Sequence, residues 1–125
     1  MLLFKKKFLD AIRSGKKRQT IRVWKHRRMR SDQRSFIPGV GYIHILAVDP
    51  VKLESLTNED ARLDGFASAA EMLTEIRELY AEQVAAGLQA YRIRFEICSA
   101  ELQERFREES KERKKNARKG KISQG

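Results

Sequence analysis

Residues 14–24 read "SGKKRQTIRVW", and their reading decides how the rest of the chain is arranged. Gly15 supplies the left-handed stop that ends many helices. From Gln19 onward polar and apolar residues alternate, so a strand begins there. Gln19, Ile21 and Val23 take one face; Arg18, Thr20, Arg22 and Trp24 take the other. Ile21 and Val23 belong to the core. The opposite face presents a hydroxyl, two guanidinium groups and an indole. A helix therefore hands over to a strand within a few residues, and the strand gathers its cations on one surface.

Upstream, "FKKKFLDAIRSG" places Phe4, Phe8 and Ile12 four residues apart with Leu9 and Ala11 beside them, which predicts a short helix ending at Gly15. Downstream, "KHRRMRSDQR" (25–34) has no period and is a basic loop. "SFIPGVGYIHILAV" (35–48) is strand-like and is broken by the Pro38-Gly39 turn and Gly41. Ile43, Ile45 and Ala47 share one face, and Tyr42, His44, Leu46 and Val48 the other. Both faces are largely apolar, as in a central strand. His44 is read there as a satisfied structural histidine.

Thr57 and Asp60 have the spacing of a capping box that opens the helix "NEDARL", and Gly65 ends it. Ser68 and Glu71 repeat the device ahead of a helix whose Met72, Leu73, Ile76, Leu79 and Tyr80 form a core-facing stripe. Gly87 closes that region. "AYRIRFEIC" (90–98) is the plainest strand: Tyr91, Ile93, Phe95 and Ile97 face inward, while Arg92, Arg94 and Glu96 face outward. Residues 99–125 carry helix-forming residues with only Leu102 and Phe106 to dock. Glu comes first and Lys/Arg last, as the helix dipole prefers. The order of elements predicts one α+β domain over residues 1–98, then a charged helix over 99–125 fraying into a basic tail.

Charge is unevenly spread along the 125 residues. Residues 1–34 carry net +11, residues 35–109 net −7 and residues 110–125 net +6, giving +10 overall. Two basic blocks on an acidic middle point to a polyanionic partner. The single cysteine, Cys98, excludes an internal disulfide, and with only His26 and His44 it argues against a zinc site; Cys98 reads as a small core residue. No metal and no cofactor are expected. The opening apolar run is too short for a secretory signal and no stretch is long and apolar enough to span a bilayer, so a cytoplasmic, non-membrane protein is expected.

The helix ending "SGKK", the strand "QTIR", the basic loop, the middle strand, "LTNEDARLDGF" and the final "YRIRFEI" together resemble an ASCH domain over roughly residues 1–98. The resemblance implies a small PUA-like β-barrel with flanking helices, a fold found in RNA-modifying proteins. The family pattern G-x-K-x-x-E-x-R is matched at Gly15, Lys17 and Arg22, with Thr20 in place of the Glu. A "K-x-x-T-x-R" form is similar to that of small amidohydrolases that cleave acylated cytidine. That likeness implies catalytic roles for Lys17 and Thr20 and for a carboxylate near Asp64, where the family often has Glu. The "GD" turn usual before the middle strand is replaced by "SDQRSFIPGVG".

Two functions follow as expectations. In the first, RNA or a nucleotide-like ligand binds a basic cleft lined by Lys17, Thr20, Arg22 and Asp64. Arg18, Lys25, Arg27, Arg28, Arg30 and Arg34 would contact phosphates. Arg22 and Trp24 would hold the ligand, with Trp24 stacking an unpaired base, so single-stranded RNA or a loop is favoured over duplex. In the second, the protein is a small hydrolase: Thr20 is the nucleophile, Lys17 its base, and Asp64 orients water or protonates the leaving amine. Ribonuclease action ranks below both, because the chain has no suitable His pair or metal cluster. A structural cluster of Lys17, Thr20 and Asp64 is the alternative to both.

Overall fold

A computed structural model describes residues 1–124, with side-chain surroundings described through residue 118. Four antiparallel strands, β1 (Gln19–Trp24), β2 (Arg34–Ile37), β3 (Gly41–Val51) and β4 (Gln89–Ile97), form one sheet in the order β1-β4-β3-β2. The helices are α1 (Leu9–Arg13), α2 (Asn58–Leu63), α3 (Ala69–Leu79), α4 (Ala81–Ala85) and α5 (Ala100–Gln124). The fold is α+β, as the sequence predicts.

The expected barrel is not closed. β1 and β2 are the two edges of the sheet and do not pair with each other. The N-terminal segment lies between them instead. Leu2 N–H donates to Phe36 O on β2 at 2.9 Å, and Leu3 O accepts from Arg22 Nη2 on β1 at 2.8 Å. The segment cannot extend this into a ladder, because it coils into a 3-10 turn at Lys6–Phe8 and then into α1. The helix predicted from Phe4 onward is correspondingly shorter. Lys5 is still extended, and Phe4 becomes a wall against Phe95, ring centres 6.0 Å apart.

Apolar burial, the main favourable term in folding, is divided in two. Leu2, Ile12, Met29, Ile37, Ile43, Ile45, Val48, Ile93 and Phe95 pack between the sheet and the N-terminal elements. Ile21, Val23 and Ala90 pack against Leu56, Ala61, Met72 and Ile76 from the α2–α3 region. β1 is therefore covered on both faces. Thr20 is buried although the alternating pattern places it opposite Ile21.

A register shift between Ile45 and Ala47 changes the parity of β3. Beyond the bulge Val48, not Ala47, continues the buried row, and Leu46 is turned out to 45% exposure. Ile97, predicted inward, is 36% exposed because it ends the β3–β4 ladder where the chain leaves for α5. Both predicted helix starts form. Thr57 and Asp60 make a reciprocal capping box on α2, and Ser68 accepts from the Glu71 N–H on α3. Gly65 ends α2 at φ +88°.

Candidate functional site

The α2 stop delivers the site's carboxylate. Asp64 is the last residue before the left-handed Gly65, and the turn directs its side chain inward, where it is 3% exposed. Phe66 follows as the apolar residue that such stops commonly carry. On the other side, Lys17 sits in the turn after Gly15, ahead of β1, so it escapes the strand alternation that would separate it from Thr20. Its backbone is fixed by Lys17 N–H to Ala11 O at 3.0 Å, and Arg18 N–H donates to Leu63 O at 2.8 Å. These two bonds tie the start of β1 to α1 and α2.

Lys17 is 2% exposed, and its ammonium donates to the Asp64 carboxylate, to Asp64 O, and to Gln19 O at 3.1 Å. Three aromatic rings surround the amine: Phe4 at 5.6 Å, Phe8 at 4.8 Å and Phe66 at 5.8 Å to the centroids. Burial pushes the Lys17 pKa down despite the attraction of Asp64, and Arg22 adds to the depression. Burial likewise pushes Asp64 up, to about 6, against the pull of Lys17 and Arg22. Both partners are displaced toward their neutral forms, because desolvation of two charges outweighs their mutual attraction.

Arg22 extends over the Phe4 ring, 4.7 Å from its centroid. Its Nε donates to Thr20 Oγ1 at 3.2 Å, which orients the hydroxyl. Lys17, Thr20, Arg22 and Asp64 line one cavity of about 390 Å³ with Phe4, Phe8, Phe66, Leu79 and Tyr80. At its rim Lys5 Nζ pairs with Glu75 at 2.9 Å, joining the N-terminal segment to α3.

The site differs from the expected cation-rich cleft. Lys17 and Lys5 are both paired with carboxylates, and most of the wall is aromatic or aliphatic. Trp24 does not line the cavity. It packs on Tyr91, ring centres 5.6 Å apart, at the edge of the core. Arg18 lies in a separate shallow hollow with Lys16 and Arg62. Lys25, Arg27, Arg28 and Arg30 are exposed on the loop after β1. That loop is pinned by buried Met29, whose carbonyl accepts from Arg27 Nε at 2.8 Å. Arg34 is engaged elsewhere, with Glu109 at 2.9 Å and over the Phe106 ring at 4.1 Å. His44 stands between Asp32 and Glu96 at 3.4 and 3.5 Å, and Cys98 is buried. No group of three metal-ligating side chains occurs among the described residues.

The sequence pattern missed the pocket's aromatic walls. Phe4 and Phe8 read as a core helix face, and Phe66 had no period to mark it. Its position directly after Gly65 was the available signal.

Three solved structures share the fold of this chain. The ASCH domain from Lactobacillus crispatus JV V101 superposes with a TM-score of 0.61 at 15% identity, covering 71% of this chain and 69% of that one. The chain has the ASCH-domain fold. The hypothetical protein PH0355 shares the fold with a TM-score of 0.64 at 18% identity, over 75% of this chain and 94% of that one. Protein EF3133 from Enterococcus faecalis V583 does so at 0.57 and 14%, over 73% of this chain and 69% of that one. No family model matches the sequence, and no curated protein is similar to it. The ASCH fold is therefore shared at the level of structure. In this chain it is an open four-stranded sheet whose gap is filled by the N-terminal segment. No helix among the described residues is long and apolar enough to cross a membrane.

Proposed function

We propose that the cavity binds a nucleoside-sized, base-like ligand and that RNA is the polymer presenting it. The observation that carries this reading is the convergence of Lys17, Thr20, Arg22 and Asp64 onto one aromatic cavity of about 390 Å³. That size lies within the range of small-molecule sites, and a few polar groups among apolar walls is how such sites orient a ligand. Aromatic faces favour a planar guest. Arg18, Lys25, Arg27, Arg28 and Arg30 lie outside the cavity and are exposed, so they take phosphates rather than the base. An unpaired base can enter such a cavity; a stacked, paired one cannot, which favours single strands and loops.

A second reading is favoured by one specific feature: the displacement of Lys17 and Asp64 toward neutral forms. One proton shift within the ion pair yields a neutral amine and a neutral acid, the forms needed for amide hydrolysis. The Lys17 amine would take the Thr20 hydroxyl proton as Thr20 Oγ1 attacks an acyl carbonyl. Asp64 would give its proton to the departing amine as the C–N bond breaks. Water would then hydrolyse the acyl-threonine ester, releasing the acid and restoring the hydroxyl. Arg22, which lines the cavity and is already bonded to Thr20 Oγ1, would donate to the developing oxyanion.

A single titration with N4-acetylcytidine tests both. Binding is read by NMR shifts of Phe66 and Thr20, since Trp24 lies outside the cavity and its fluorescence would not report directly. Turnover is read by the ultraviolet absorbance of the base. Saturable shifts that Phe66→Ala removes support the binding reading; their absence, with cytidine also giving none, removes it. Turnover abolished by Lys17→Ala and Thr20→Val supports hydrolysis. A rate equal to that of Lys17→Ala ends the hydrolytic reading for this substrate.

A further inference from the structure

α5 is anchored at its start and free further on. Gln103 Oε1 accepts from Tyr42 N–H and its Nε2 donates to Tyr42 O, both at 2.8 Å. Phe106 packs edge-on against Tyr42 at 5.5 Å, and Glu109 holds Arg34 at 2.9 Å. From Lys111 to Arg118 every residue is exposed. The docked residues fix the direction in which this second half points.

From Arg107 to Arg118 the helix carries an ordered charge pattern. Arg107, Lys111, Lys114, Lys115 and Arg118 follow i, i+4, i+7, i+8, i+11 spacing. On a helix with 3.6 residues per turn they fall within an arc of roughly 100° and make a row about 17 Å long. The anchoring residues Gln103, Phe106 and Glu109 lie to one side of this row. Arg113 and Asn116 lie on the opposite face. Acidic residues are confined to the first half apart from Glu112, which is also off the row. Arg107 and Lys111 have intrahelical partners in Glu104 and Glu108 at 3.6 and 3.5 Å. Lys114, Lys115 and Arg118 have no ion-pair partner among the described residues.

The row carries no aromatic and no aliphatic anchor. Aromatic stacking platforms and membrane insertion both rely on such groups, so neither is built into the row. All five positions are exposed lysines or arginines, and three of them have no ion-pair partner among the described residues. Charge alone matches a phosphate ridge: a DNA duplex offers one phosphate per about 1.7 Å of axis with both strands counted, or roughly ten along this row, and an A-form RNA stem, with its shorter rise, is at least as dense.

We infer that the Arg107–Arg118 face of α5 is a second, separate nucleic-acid surface that lies along the backbone of a double-stranded RNA stem. The choice of RNA rests on the reading proposed above: a hairpin would place its stem on α5 and an unpaired base in the cavity. Contact is sequence-independent and follows the phosphates, since the A-form major groove is too narrow to admit the helix.

The test uses the full chain and a fluorescently labelled 20-base-pair RNA duplex, with anisotropy measured across a salt series. Lys114→Gln/Lys115→Gln/Arg118→Gln removes three charges from the row. Arg113→Glu/Asn116→Asp lowers the net charge by the same three on the opposite face. The inference expects at least a tenfold loss at low salt for the first variant, a salt slope smaller by about 2.7, and a much smaller effect for the second. Equal losses in both variants would reduce the surface to net charge and overturn it. Undiminished duplex binding by the row variant, while the wild-type chain still binds single-stranded RNA, would overturn this inference alone. Failure of the wild-type chain to bind any RNA would overturn the RNA reading as well. Equal row-dependent affinity for a DNA duplex would overturn the assignment to RNA.

Discussion

Lys17 and Asp64 bury opposite charges together, and the fold carries the desolvation of both. Breaking the pair leaves one charge without its partner, whereas replacing both with apolar groups removes the penalty. Asp64→Leu is therefore expected to lose about 3–5 kcal/mol, and Lys17→Met/Asp64→Leu to recover most of it, measured by urea unfolding. A single variant as stable as the double one would refute the account. The pH dependence has a definite sign. Asp64 in the native state has its pKa raised from 3.8 to about 6, so between those values the native chain binds this proton more tightly than the unfolded one. Its contribution to stability falls as pH rises through that window. Lys17, lowered from 10.5, acts in the reverse sense: stability returns as pH rises from its native value toward 10.5. The double variant lacks both slopes.

Among the elements, those with local signals were legible in the sequence and those set by distant partners were not. The caps at Thr57 and Ser68 and the Gly65 stop form as read, because each depends on residues within three or four positions. The bulge at Leu46 and the burial of Met29 depend on which strand lies alongside, and no local period records that. Lys17, Thr20, Arg22 and Asp64 were legible as one cluster through their spacing and the resemblance. The aromatic enclosure was not, because Phe4 arrives from a segment that fills the sheet gap instead of continuing a helix. Gly41 shows how a distant partner sets a local requirement. Its φ is +127°, and an added Cβ would lie 2.8 Å from Gln103 Oε1. Gln103 serves the Tyr42 backbone where the ladder with β4 ends. Gly41→Ala is therefore expected to cost about 1–3 kcal/mol of strain and to release the start of α5. Hydrogen exchange would detect faster exchange at residues 100–106 with β1 and β4 still protected; unchanged α5 exchange would show that Gln103 is not the anchor.

At the scale of the whole molecule, charge and cavity are separated. The net charge of +10 comes from the N-terminal block and the end of α5, while the charged groups lining the cavity, apart from Arg22, form ion pairs. Affinity for a polyanion should therefore depend on salt, and affinity for an uncharged nucleoside should not. Between roughly 0.05 and 0.2 M salt, RNA binding should weaken steeply through counterion release, with each lost phosphate contact lowering the slope by about 0.7 for a single strand. Arg28 and Arg30 are the cleaner probes, because Arg27 also shapes the loop through the Met29 carbonyl. Arg28→Ala/Arg30→Ala should lower the slope by about 1.4 and leave nucleoside affinity within twofold of the wild type. The comparison is made by anisotropy for a single-stranded RNA and by NMR titration for the nucleoside, in the same buffers. If nucleoside affinity falls in parallel with RNA affinity, the loop cations act on the cavity, and the division between phosphate-binding surface and base-binding pocket is wrong. If only RNA responds, the two are independent, and the paired charges around Lys17 and Asp64 are what keep the cavity insensitive to the field of the cationic surface.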